Sequence, residues 1–153
     1  MFLLLVVAIL LMYRDTAGIM VGIWWRSETF AHCLLVLPIS LWLVWRQRDR
    51  LAALTPRPQP WMLLPMLVTA SVWLLSDLVV VGAAAQFALV TMLVLAVPLV
   101  LGLEVGAVIL FPLLFLYFGV PFGEFVVPTM MELTADFTVS ALQISGVPVF
   151  REG

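Results

Sequence analysis

The sequence contains no lysine, a single cysteine and a single histidine, and only 10% of its 153 residues are charged. Each scarcity removes a class of function. One cysteine, Cys33, excludes an intramolecular disulfide framework and any multi-thiolate metal site. One histidine, His32, leaves no histidine-based metal set, and HExxH and CxxC spacings are absent. There is no glycine-rich phosphate loop and no basic groove with interleaved aromatics, so neither a nucleotide cofactor nor nucleic acid is expected. All seven basic residues are arginine, and the net charge of −2 is too small to mark an acidic substrate or a nucleic acid as partner. No metal and no cofactor is expected.

What fills the chain is apolar: 65% of its residues are hydrophobic and its mean hydropathy is +1.22. Soluble domains are roughly 45–50% apolar and about 25% charged. A soluble fold of this size could not hide so much apolar surface, because its exterior must face water. The lipid bilayer is therefore the expected partner, and the expected fold is an all-α, polytopic membrane helix bundle.

Short polar interruptions divide the sequence into five apolar runs, near 1–13, 30–45, 61–80, 84–103 and 105–122. The first would reach about 20 Å as a helix, short of the roughly 30 Å hydrocarbon core. No basic segment precedes it, as a signal peptide would require; the expectation is a late start, with the first turns of that helix missing. A mixed stretch follows at 14–32. The segment 46–60, RQRDRLAALTPRPQP, carries four arginines and three alternating prolines and reads as a loop outside the membrane. In the remainder, 123–153, the stretch 129–144 carries Met130, Leu133, Phe137 and Leu142 with Glu132 and Asp136 between them. That spacing predicts an amphipathic helix at the interface or packed on the bundle.

The arginines orient the bundle. Loop 46–60 holds Arg46, Arg48, Arg50 and Arg57, the densest positive cluster, and the positive-inside rule places it in the cytoplasm. Five spans then put the N-terminus inside and the tail 123–153 outside, where Glu124, Glu132, Asp136 and Glu152 outnumber Arg151. Trp42, Trp45 and Trp61 flank the arginine loop and Trp24–Trp25 the opposite boundary, as an aromatic belt would. Asp77 and Glu104 fall near predicted span ends, where headgroup solvation suffices. Pro38, Pro65, Pro98 and Pro112 lie within spans, as is common in membrane helices.

Few residues carry chemistry. Cys33 follows His32, but neighbours on a helix point about 100° apart, and a reactive thiol needs an electropositive, partly exposed setting. Cys33 therefore reads as packing. Glu28 and His32, four apart, would share a helix face and form a hydrogen bond or ion pair; Ser27 has no base placed for it. No catalytic residue is assigned. Ionisable groups predicted at the outer face, Arg26, Glu28, His32 and Glu124, form the candidate substrate-binding cluster, with Arg26 or His32 expected to approach Glu124 because partly buried charges need partners.

Two blocks resemble the N-terminal half of the exosortases, bacterial membrane proteins of the exosortase A type. One is IWWRSETFAHCLLVLPISLWLVWRQR at 23–48; the other is FPLLFLYFGVPFGEFVVPTMMELTADFTVSALQISGVPVFREG at 111–153. Cys33 stands where that family usually has glycine, which agrees with a packing role. The resemblance implies a membrane cysteine peptidase or transpeptidase of the bacterial inner membrane. Its substrates would be C-terminal sorting tails of exported proteins, the PEP-CTERM signals. It also implies that the catalytic cysteine, arginine and histidine lie downstream of Gly153, so that 1–153 would be a fragment of a longer exosortase. Whether this chain is itself an enzyme stays open. A non-catalytic membrane scaffold and a transporter-like bundle are the alternatives, the latter disfavoured because ionisable residues cluster at span ends.

Overall fold

The computed structural model describes residues 1–122 and 127–146, and every regular element among them is helical. The chain divides into two units, Met1–Pro121 and Phe122–Gly153.

The first unit begins with α1 (Phe2–Met12) and α2 (Arg14–Arg26), which meet at Tyr13 and bend by 81°. The break falls where Arg14–Asp15 interrupts the apolar run, and the first part of the mixed stretch 14–32 is the helix α2. Next come α3 (Cys33–Arg46) and the short α4 (Arg48–Ala52), which lies inside the segment read as a loop. A 3₁₀ turn at Pro60–Met62 leads into α5 (Leu63–Leu78), and α6 (Gly82–Val100) returns beside it. Pro60–Leu78 and Gly82–Val100, 19 residues each, are long and apolar enough to cross a membrane; at 1.5 Å per residue each reaches about 28 Å, close to the hydrocarbon thickness. The bent α1–α2 pair makes a third candidate span if it is counted as one.

The fifth apolar run is not one helix. It forms α7 (Leu103–Val108), α8 (Leu110–Phe115) and a 3₁₀ turn, Leu116–Gly119. Pro112 explains the break: it has no N–H for the carbonyl of Val108, and its ring would press on that carbonyl if the helix ran through. Val108 is the last residue of α7.

α6 is the centre of the unit. It buries Ala85, Ala88, Leu89, Met92, Ala96 and Val97, and its alanines let neighbouring backbones approach closely. Ile9 and Tyr13 join Leu89, Met92 and Ala96 in one cluster; Val105, Ile109 and Leu113 join Val97 in another. Leucines on α1, α3 and α5 stay exposed, as lipid-facing side chains do. Several hydroxyls are satisfied within their own helices: Thr69, Ser71, Ser76 and Thr91 each donate to the carbonyl four residues earlier.

Two turns carry unusual backbone. α5 ends in a Schellman motif, with Val81 N–H donating to Ser76 and Val80 N–H to Asp77. Its left-handed position is Val80, at φ 59°, where glycine is usual and a β-branched residue is strained. At the end of α6, Gly102 has φ 98° and ψ 163°, a region essentially reserved for glycine. Beside it the proline-rich segment lies extended along the end of α6: Arg57 N–H donates to Leu101 (3.2 Å) and Gln59 N–H to Leu99 (3.1 Å). Pro56, Pro58 and Pro60 alternate with these two residues, so the segment has donors on one side only, as an edge strand does. Arg57 also meets Glu104 at 3.7 Å.

The second unit contains α9 (Val127–Ile144), two residues longer at its start than the predicted 129–144. Thr134, Thr138 and Ser140 repeat the back-bonding pattern. Gly146, at φ 81°, takes the left-handed position that closes the helix.

Candidate functional site

Three pieces of the first unit converge at one end of α3: the last turn of α2, the first turns of α3, and the 3₁₀ turn 116–119. Each contributes what its local chemistry leaves over. The 3₁₀ turn has carbonyls without intrahelical partners, and two buried side chains supply donors. Trp24, only 4% exposed, donates its indole N–H to the Gly119 carbonyl at 2.7 Å. Cys33, 1% exposed, donates its S–H to the Phe118 carbonyl at 3.3 Å. Met20 and Phe30 complete the apolar packing around the indole and the sulfur, and Val36 lies against Gly119. The chain then leaves through Val120, in extended backbone, and the fully buried Pro121.

Two sequence-based expectations change here. Trp24 is not part of an exposed aromatic belt; it is a buried strut, while its neighbour Trp25 remains exposed. Cys33 and His32 do approach each other, with Sγ and Nε2 3.7 Å apart. The 100° argument applies within a helix, whereas His32 lies in the turn that precedes α3. The Thr29 carbonyl, 3.0 Å from His32 Nδ1, can only accept. Nδ1 therefore donates to it, and Nε2 is the ring nitrogen that faces the sulfur. This is still not an activated nucleophile. The thiol already has a backbone acceptor, and its burial closes it to any incoming carbonyl.

Of the candidate binding residues, Arg26 ends α2 and Glu28 and His32 lie in the connection 27–32; all three are exposed. That connection is turns and not helix, so Glu28 and His32 do not share a helix face. Among the described residues the ion pairs are Arg14–Asp15, Arg48–Asp49 and Arg57–Glu104, and none includes Arg26 or Glu28. Glu124 lies outside the described residues, and with it the expected approach of Arg26 or His32. Among the described residues, no three histidine, cysteine or acidic side chains gather as a metal site. A third polar link, between the Tyr117 hydroxyl and Thr91 Oγ1 at 2.9 Å, ties α6 to the same 3₁₀ turn. Sequence reasoning overlooked it; a tyrosine inside an otherwise apolar run was the available signal.

A family model described as transmembrane exosortase matches residues 24–153. The match begins at Trp24 and includes Cys33, Phe118 and Gly119, so both hydrogen bonds from Trp24 and Cys33 to the 3₁₀ turn lie inside it. No curated protein matches the chain, and no solved structure does.

Proposed function

Because this chain belongs to the transmembrane exosortase family, we propose that it is the substrate-receiving membrane portion of an enzyme that processes C-terminal sorting tails of exported bacterial proteins. Such a tail has a short PEP motif, a membrane helix and a basic end. Its helix would lie against the exposed apolar side of the bundle. Its motif would reach the end where Arg26, Glu28 and His32 stand exposed. The bond-breaking chemistry of such an enzyme needs a thiolate, with an arginine and a histidine to stabilise charge and move a proton, and this reading assigns that role to no described residue. Cys33 is buried and engaged with a backbone carbonyl, and its role is to hold α3 to the 3₁₀ turn. The observation that carries this reading is the family match over 24–153.

In this proposal the protein sits in the bacterial inner membrane with its N-terminus and arginine loop in the cytoplasm. Alkaline phosphatase fused after Arg50 should be inactive and fused after Glu124 active; the reverse would sink the topology. For substrate contact, a photoreactive benzophenone amino acid is placed at exposed position 29, in membranes also containing an exported protein with a PEP-CTERM tail. Irradiation should join the two, and alanine replacement of the PEP motif should abolish the adduct. Equal joining with and without the motif would refute the function.

A further inference from the structure

The arginine-bearing end of α3 has a construction that the proposed function does not use. Leu34, Leu37, Leu41 and Trp45 recur at three- and four-residue intervals and form one stripe of α3, which Arg48, the first residue of α4, continues by lying over Trp45. Beside it runs a second, Leu35, Trp42 and Arg46. The leucines and both tryptophans of these stripes are exposed. Each stripe therefore reads, in order, apolar side chain, indole, guanidinium.

The guanidinium groups are held in place. Arg46 lies 5.0 Å from the centroid of the Trp42 ring, and Arg48 lies 4.3 Å from that of Trp45. A guanidinium that stacks flat on an indole keeps in-plane N–H donors available and loses less freedom when they bind a ligand. Two parallel donors of that kind match two oxygens of a phosphate. An ammonium could not stack in this way, and the chain has no lysine. Arg50, on the same short helix as Arg48, adds a third positive charge. Nearby acids do not cancel the set. Among the described residues Asp49 pairs with Arg48, at 3.7 Å, and Glu104 with Arg57. Four arginines against two acids leave a net charge of +2 at this end.

The support beneath is fixed as well. Leu51 of α4 and the following Leu54 pack on the cluster of Val97, Val105, Ile109 and Leu113. The extended segment beyond is pinned to α6 through Arg57 and Gln59. The arginines are thus mounted at the rim of an apolar surface.

We propose that the two stripes of α3 seat one anionic phospholipid, its acyl chains along the leucines and its phosphate in the in-plane donors of Arg46 and Arg48. The charge is complementary, and the order of apolar, aromatic and cationic side chains repeats the order of tail, interface and headgroup across a leaflet. The seat does not depend on which way the bundle faces.

The test is native mass spectrometry of the full chain released from detergent with equimolar phosphatidylglycerol and phosphatidylcholine. The parent should retain phosphatidylglycerol in roughly tenfold preference. The double variant R46Q/R48Q should lose that preference, while R57Q, whose charge lies at the same end but outside the stripes, should keep it. R46K/R48K preserves charge but not stacking and should fall several-fold. Matching elution profiles on gel filtration establish that the variants are folded. No preference in the parent, full retention in the lysine variant, or equal loss in R57Q would overturn the proposal. So would displacement of the lipid by millimolar inorganic phosphate, which would mark a soluble-anion site.

Discussion

Replacing Gly102 with alanine attacks the bundle at a point where three separate requirements coincide. The backbone there has φ 98°, and a Cβ built on it would lie 2.5 Å from the Arg57 carbonyl oxygen. That atom is main chain and cannot swing aside as a side-chain end could. The dihedral alone costs an L-residue about 1–3 kcal/mol. To relieve the contact, the extended segment must lift from the end of α6, which breaks the bonds from Arg57 to Leu101 and from Gln59 to Leu99. At about 0.5–1.5 kcal/mol each, the total is about 2–6 kcal/mol. Unfolding of the purified chain in mixed micelles, titrated with sodium dodecyl sulfate and followed by tryptophan emission, measures the loss. Hydrogen exchange supplies a local readout, since Arg57 and Gln59 carry the only amides between Pro56 and Pro60 and both should lose protection. Gly106→Ala is the control: its Cβ would make an ordinary 3.9 Å contact with Pro98, within a helix where alanine is favoured by about 0.5–1 kcal/mol. Gly102→Ala within about 0.5 kcal/mol of the parent, with both amides still protected, would refute the reasoning.

Val80→Gly should stabilise the chain by about 1 kcal/mol, because glycine removes the left-handed strain at the Schellman turn; the same titration reads it, and a loss of stability would contradict the assignment. Trp24→Phe keeps most of the packing but orphans the buried Gly119 carbonyl, so a destabilisation of about 1–3 kcal/mol is expected; a neutral result would mean the indole bond contributes nothing. Cys33 should resist N-ethylmaleimide in the folded chain and react once dodecyl sulfate unfolds it; rapid labelling of the native protein would refute its burial. In an enzyme continuous with this chain, Cys33→Gly should leave processing of a PEP-CTERM substrate intact at normal protein levels.

The apolar runs were legible because a membrane span needs a length and a composition that few other structures need. α5 and α6 accordingly begin and end within a few residues of the predicted 61–80 and 84–103. Loop 46–60 was legible as punctuation but not as structure. Its alternating prolines mark a break, yet only the neighbouring backbone of α6 reveals that the two intervening amides are the ones with partners. The break at Ile109 could have been read from Pro112 by asking which carbonyl loses its donor. The left-handed turn at Val80 had no signal, since the nearby glycine, Gly82, opens the next helix instead. At the candidate site, residue types pointed to charge pairing. The bonds that hold α2 and α3 to the 3₁₀ turn run instead from Trp24 and Cys33 to main-chain oxygens, and carbonyl groups are the same in every residue, so no sequence pattern marks them.

That last property reaches further than the fold. Position 118 lends the bundle its carbonyl while its phenyl ring stays exposed. A different side chain there leaves the Cys33 acceptor where it is, provided the turn keeps its backbone. Architecture and outward chemistry are thus uncoupled at this residue. Relatives could vary what position 118 displays, and with it what they meet, without rebuilding the junction that carries it.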